Sequence, residues 1–181
     1  RLAPGFKHYI IVDDDLLLRK SAPPMEDVPE GFVGLSPDAI QTNTAAPHVT
    51  WTGNTGFIVA DSKALELLEE AYKNGEYPYN FWDNSGKGIW GPYDQASLNN
   101  VVFSKARVYQ LSWKWNYQTI IAFYGKGKGW HYWQKHRWYR LWYYLSIFLP
   151  LSTRSRRRVK TAYGLHMTMG TYPKFFSIIH K

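Results

Sequence analysis

The stretch HYIIVDDDLLL, residues 8–18, decides the fold. An apolar run, Tyr9–Val12, leads directly into Asp13, Asp14 and Asp15, and three leucines follow. The run is short, continuous and rich in β-branched residues, so it predicts a buried central strand of a parallel sheet that ends at the carboxylates. Three adjacent carboxylates repel one another, and each raises its neighbours' pKa. A cluster of this kind at the end of a buried strand calls for a cation to neutralise it. In open α/β sheets ligands bind beyond the carboxyl ends of the strands. Carboxylate oxygens in that place suit Mg²⁺ or Mn²⁺, which bridge to phosphate oxygens. The plainer alternative is a loop cluster paired with Arg19 and Lys20.

The rest of the chain supplies the remaining elements. SAPPMEDVPEG, Ser21–Gly31, reads as a Pro-rich loop, and Gly31–Leu35 as a second strand. Gly53–Ala60, GNTGFIVA, reads as a turn feeding a third strand. The following segment, to Gly75, predicts a helix capped by Asp61 or Ser62, with Ala64, Leu65, Leu68, Ala71 and Tyr72 as its apolar face. Asn74–Tyr93 is a long aromatic loop, a length that favours function, and a place where aromatic faces could stack on sugars. Asp94 opens a second helix, and RVYQL, Arg107–Leu111, reads as another strand. Strands alternating with helices predict an α/β domain.

Composition bounds the class. The chain has 181 residues, 45% of them hydrophobic, enough for one domain with a real core. It has no Cys, which excludes disulfides and thiolate metal sites. All 14 acidic residues lie between Asp13 and Asp94, whereas 15 of the 22 Lys and Arg follow Asp94. The split predicts an acidic site in one half and a surface for an anionic partner in the other.

Four segments in order carry a family resemblance. YIIVDDDLLL resembles the strand and Asp-any-Asp motif of GT-A glycosyltransferases, with Asp13 and Asp15 in the two Asp places and Asp14 between them. GNTGFIVADSKALELLEEAY resembles the Asn-Thr/Ala-Gly strand and helix of retaining enzymes such as glycosyltransferase family 8 and its relatives. WGPYDQASLNN resembles their Asp-Gln helix start, and LSWKWNYQ, residues 111–118, their Trp-Asn segment.

The resemblance implies a GT-A, Rossmann-like nucleotide-diphospho-sugar transferase core over residues 1–125. A basic aromatic segment, 126–181, would complete the site. It implies a hexosyltransferase that uses Mn²⁺ or Mg²⁺ and a nucleotide-diphosphate sugar, UDP-linked, to modify a carbohydrate, lipid or protein acceptor. Asp13 and Asp15 would bind the metal, with Asp14 beside the donor. Asn54 and Gly56 would border the donor sugar. Asp94 would bind its hydroxyls, and Gln95 would lie near the anomeric carbon, though a neutral amide is a poor nucleophile. Without the resemblance, Asn54–Gly56 is an ordinary turn, Asp94 an N-cap and Gln95 a surface residue of the first helical turn. The family's base-binding first strands would precede Arg1, so the chain is expected to start inside a larger protein.

The family's late metal-binding His has two competing segments here. AFYGKGKGW, residues 122–130, puts Ala122 where the His belongs, with His131 just beyond. LHMTMGTYPK, residues 165–174, offers His166, with Lys174 among the residues that would bind the donor. His166 is favoured, because an imidazole can ligate and a methyl group cannot.

The tail Trp130–Lys160 mixes aromatics with Lys and Arg. Its apolar core, Leu141–Leu151, is too short to span a bilayer and has the mixture of an interfacial anchor on an anionic membrane. A packed helix with a basic outer face is the plainer reading. Nucleic-acid binding ranks below both. The expected location is cytoplasmic or peripheral on a membrane face, with a Golgi-type lumen also open. Two other functions compete: a haloacid-dehalogenase-like phosphatase, and a non-catalytic basic module for membrane or nucleic acid. The phosphatase wants an acidic pair downstream, and none follows Asp94.

Overall fold

The computed structural model of the chain describes residues 5–38, 47–75, 94–118, 138 and 160–167. Within them the chain divides into two compact units. One holds residues up to Asp13 together with Pro24–Trp113; the other holds Asp14–Pro23 and the chain from Lys114 onward. Both are built of short strands, and the first adds two helices, so the architecture is mixed α/β. Among the described residues no helix is long and apolar enough to cross a membrane.

The first unit is organised by a four-stranded sheet. Its strands are β1 (Tyr9–Val12), β3 (Val33–Pro37), β4 (Gly53–Ala60) and β5 (Val108–Gln110), in the order β1-β4-β3-β5; β2 (Leu16–Leu18) belongs to the other unit. β4 is antiparallel to both neighbours, and β3 pairs with β5 in parallel. β1 corrects the expectation of a buried central strand in a parallel sheet. It closes the described sheet at one side and is antiparallel to β4, with Tyr9 opposite Ala60 and Val12 opposite Phe57. Ile10, Ile11 and Val12 are 40–47% exposed. An apolar run reports that a strand belongs to a sheet, not where in the sheet it lies.

β4 takes the central place instead, and all eight of its residues are buried. Its register against β3 breaks between Leu35 and Ser36: Leu35 faces Ile58, whereas Ser36 faces Asn54. Thr55, Gly56 and Phe57 therefore have no register partners on β3. A break of this kind re-aims the side chains beside it.

Helices α1 (Leu65–Gly75) and α2 (Asp94–Ser104) pack against one another and onto the sheet. Val33, Leu35, Ile58 and Ala60 meet Ala64, Leu67 and Ala71 of the α1 segment and Leu98, Val101 and Val102 of α2. Burying a side chain of Val or Leu size stabilises by roughly 1.5–3 kcal/mol, so this cluster is the main source of the unit's cohesion. The apolar face of α1 differs from the one expected. Leu67 is buried, and Tyr72 stands 75% exposed. Both faces keep the helical period; packing against the sheet and α2 selects the one through Leu67.

Asp61 sets where α1 begins. Its Oδ1 accepts the Ala64 N–H at 2.8 Å, the geometry of an N-cap, and its Oδ2 accepts the Gly31 N–H at 2.8 Å. Gly31 has φ +76°, a conformation that glycine adopts without strain. Burial pushes the Asp61 carboxyl up, but the N–H groups of Gly31, Ala64 and Lys63 outweigh it, and the net shift is below the usual carboxylate range.

The second unit contains a three-stranded sheet in the order β2-β7-β6, from β2, β6 (Tyr117–Gln118) and β7 (Gly164–His166). Central β7 runs antiparallel to β2 and parallel to β6. Trp115 packs edge-on against Tyr163, with ring centroids 5.0 Å apart, and the Lys114 ammonium lies 5.2 Å from the Tyr163 ring centroid.

Asp61→Ala leaves two buried N–H groups without their acceptor and should destabilise the chain by about 2–3 kcal/mol in urea unfolding. A carboxyl held below its unfolded value stabilises above that value, and the gain is lost as pH falls through the folded one. Wild-type stability should therefore drop below about pH 4, where unfolded carboxyls titrate, with a shallower drop in Asp61→Ala.

Candidate functional site

Within the first unit the register break gathers a buried polar cluster. Asn54, on β4, donates from Nδ2 to Asp38 Oδ2 at 3.1 Å and to Gln95 Oε1 at 3.0 Å. Gln95 donates from Nε2 to the same Asp38 oxygen at 2.8 Å, and its Oε1 accepts the Thr55 N–H at 3.4 Å. Asn54 Oδ1 accepts the Gly56 N–H at 2.9 Å. Each contact fixes which end of an amide points where, so the Asn54 and Gln95 side chains have one orientation each.

Asn99, one turn after Gln95, holds this arrangement to the sheet. Its Oδ1 accepts the Gly53 N–H at 2.7 Å, and its Nδ2 donates to the carbonyls of Gly53 and Gln95, both at 2.7 Å. The Asn99 side chain thus acts as a substitute strand for the start of β4. Gln95 is only 5% exposed, which removes the reading of it as a surface residue. Asn54 and Gly56 lie in the broken ladder, not in an ordinary solvent-facing turn. Asp94 is the first residue of α2.

Within the second unit Asp15 and His166 come together from distant parts of the chain. His166 is 3% exposed, and its Nε2 lies 3.0 Å from Asp15 Oδ1. Its other ring nitrogen, Nδ1, lies 2.8 Å from Asn116 Oδ1, and Asn116 is 2% exposed. Backbone pairing imposes the arrangement. His166 pairs with Leu16, and the Met167 N–H donates to the Asp15 carbonyl at 3.0 Å. At the other end of β7 the Tyr163 N–H donates to the Lys114 carbonyl at 2.7 Å. Between these ties, a Cβ on Gly164 would stand 2.1 Å from the Trp115 carbonyl oxygen, so only glycine lets β7 approach the 3₁₀ turn Trp113–Asn116.

A carboxylate oxygen and an imidazole nitrogen form a donor set that fits Mn²⁺, Mg²⁺ or a related divalent ion. Oδ1 of Asn116 is an acceptor, so it matches a proton on Nδ1. Asp13 ends the first segment of the first unit, where it is exposed and its N–H donates to the Gly56 carbonyl at 3.1 Å; Asp14 is exposed as well. Arg19, suggested above as a partner for the three acids, donates from Nη1 to the Lys160 carbonyl at 3.0 Å.

Sequence reasoning missed three residues. Asp38 follows β3 directly, so the strand-end logic applied to Asp13 would have found it. Asn116 sits in the Trp-Asn segment but carried no assigned role. Asn99 had no signal, since an Asn inside a helix is more often solvent-facing. His131, Lys174, the loop from Tyr77 to Tyr93 and residues 122–130 lie outside the described residues, as does the tail Trp130–Lys160 apart from its described Trp138 and Lys160.

No protein-family model matches the chain, and no curated protein matches it in sequence. A solved structure does match: an active-site Gln→Glu mutant of LgtC, a glycosyltransferase of family 8. The TM-score is 0.52 at 17% identity, over 92% of this chain and 54% of LgtC. The fold is therefore glycosyltransferase-like, and the chain spans about half the length of that neighbour.

Two substitutions test the packing that builds these clusters. Asn99→Leu should cost about 2–5 kcal/mol, because it strands the buried Gly53 N–H and carbonyl. Gly164→Ala should cost about 3 kcal/mol or more, since backbone must move to admit the methyl group. Chemical denaturation of each variant beside wild type checks both.

Proposed function

We propose that this chain carries the donor-binding core of a metal-dependent glycosyltransferase. It moves a hexose from a nucleotide-diphosphate sugar, UDP-linked, to a carbohydrate, lipid or protein acceptor, with retention of configuration. The observation that carries the reading is the Asp15–His166 pair. A carboxylate and a buried imidazole from distant parts of the chain face one another at 3.0 Å, with the imidazole backed by an acceptor on its far side. The glycosyltransferase-like fold and the order of the four sequence segments support it.

In this proposal Asp13, two residues before Asp15 in the chain, joins Asp15 and His166 in holding one divalent cation, as the Asp-any-Asp motif implies. When bound, the cation offsets the negative charge that develops on the departing diphosphate. The remaining work falls to the chain's own residues. Asp14 and Lys174 contribute to the donor's binding, and Asn54 and Gly56 border the sugar. Asp94 takes the sugar hydroxyls. Gln95, its amide fixed by Asn54 and Asp38, presents a dipole of set direction beside the reacting carbon, where a wandering amide would stabilise little. The active-site Gln of LgtC gives Gln95 a precedent in kind.

The test is calorimetric binding of UDP to the full chain, with Mn²⁺ and with a chelator. Wild type should bind at least tenfold tighter with Mn²⁺, and Asp15→Asn should lose that gain while unfolding no earlier than wild type. Gln95→Ala should keep UDP affinity and lower transfer from a panel of UDP-sugars by tenfold or more. UDP affinity indifferent to Mn²⁺ and to Asp15→Asn would overturn the reading.

A further inference from the structure

The Trp-Asn segment entered the sequence analysis without a chemical role, and the structure supplies one. Asn116 is buried at the end of the 3₁₀ turn, and its side-chain carbonyl oxygen meets His166 Nδ1 at 2.8 Å. That oxygen can only accept, so the ring proton belongs on Nδ1. A neutral imidazole has a single ring N–H, and Nε2 is then bare. An Asp15 carboxylate oxygen lies 3.0 Å from it. Two lone pairs at that separation repel. The pair is satisfied only by positive charge at Nε2, either a proton or a metal ion shared with Asp15. Had Asn116 turned its NH₂ to the ring instead, Nε2–H would donate to Asp15. The two side chains would then satisfy one another with no ion.

We infer that Asn116 is the positioning residue of this centre: by holding the His166 proton on Nδ1 it turns the Nε2 lone pair toward a divalent cation. The inference rests on the metal reading proposed above. The backbone makes the orientation a property of the fold. Asn116 immediately precedes Tyr117 and Gln118, which pair with Leu165 and His166. The Gly164 approach to the Trp115 carbonyl keeps the turn against β7, and the Met167 N–H ties the same strand to Asp15. Asn116, His166 and Asp15 are thus brought to one place by main-chain contacts, before any ion arrives.

The test reads the proton directly. In the full chain with ¹⁵N-labelled histidine and saturating Mg²⁺, long-range ¹H–¹⁵N correlations should show His166 protonated at Nδ1 and bare at Nε2. Asn116→Leu, which removes the acceptor at similar volume, should release the tautomer and weaken Mn²⁺ binding, followed by electron paramagnetic resonance, by about 10–100-fold. Asn116→Asp keeps an acceptor and should hold the Nδ1–H tautomer with Mn²⁺ affinity equal to wild type or tighter. If Asn116→Leu fails to fold, the wild-type spectrum and Asn116→Asp still decide the matter. A wild-type His166 protonated at Nε2 in Mg²⁺ would overturn the inference, as would Asn116→Leu binding Mn²⁺ within twofold of wild type. Wild type that binds no Mn²⁺ at all would overturn the metal reading and this inference together.

Discussion

The buried Nε2 of His166 stands 3.0 Å from an oxygen of Asp15, and the second sheet is organised around that approach. Neither group would hold the position alone. A carboxylate brought beside a buried ring loses hydration, and the loss is tolerable only where opposite charge replaces the water. The fold meets this requirement through main-chain geometry. β7 is clamped at both ends, glycine at position 164 permits the close approach, and β2 delivers Asp15 to the same strand end.

The first unit solves a different problem with the same economy of backbone. Its central strand shifts register between Asn54 and Ile58, and polar main-chain groups inside a core must find partners. Amide side chains from α2 provide them. Asn99 serves both polar groups of Gly53, and Gln95 and Asp38 take the strand's next side chain and N–H. This explains why α2 buries Gln95 and Asn99 beside Leu98 and Val101. Its inward face is apolar where it meets the core and polar where it meets the broken strand. Polar groups held this firmly can act on a ligand without first being reorganised.

What was legible in the sequence followed from local chemistry. The carboxylate triplet, a strand over GNTGFIVA and the Asp61 cap could each be argued from a few neighbouring residues. The misreadings came where long-range geometry decides. Tyr9–Val12 has the composition of a buried strand, yet it lies at the margin of the described sheet. Tyr72 and Leu65 were placed on the packed face of α1, where the sheet instead selects Leu67. Asn116 is a residue type common in loops, and only tertiary pairing makes it a partner of His166.

The exposure of β1 gives the carboxylate triplet a second consequence. A marginal strand bearing Ile10, Ile11 and Val12 at 40–47% exposure is the sort of surface on which copies of a protein zip together, edge to edge. Such pairing would bring like residues of two chains to roughly 5 Å, the ordinary spacing between neighbouring strands. In register, it would set Asp13, Asp14 and Asp15 of one copy beside those of the other. Six negative charges at that spacing oppose the zipper at its end, the duty that gatekeeper residues perform beside apolar strands. The carboxylates at the end of this strand would in that way oppose its pairing with a second copy.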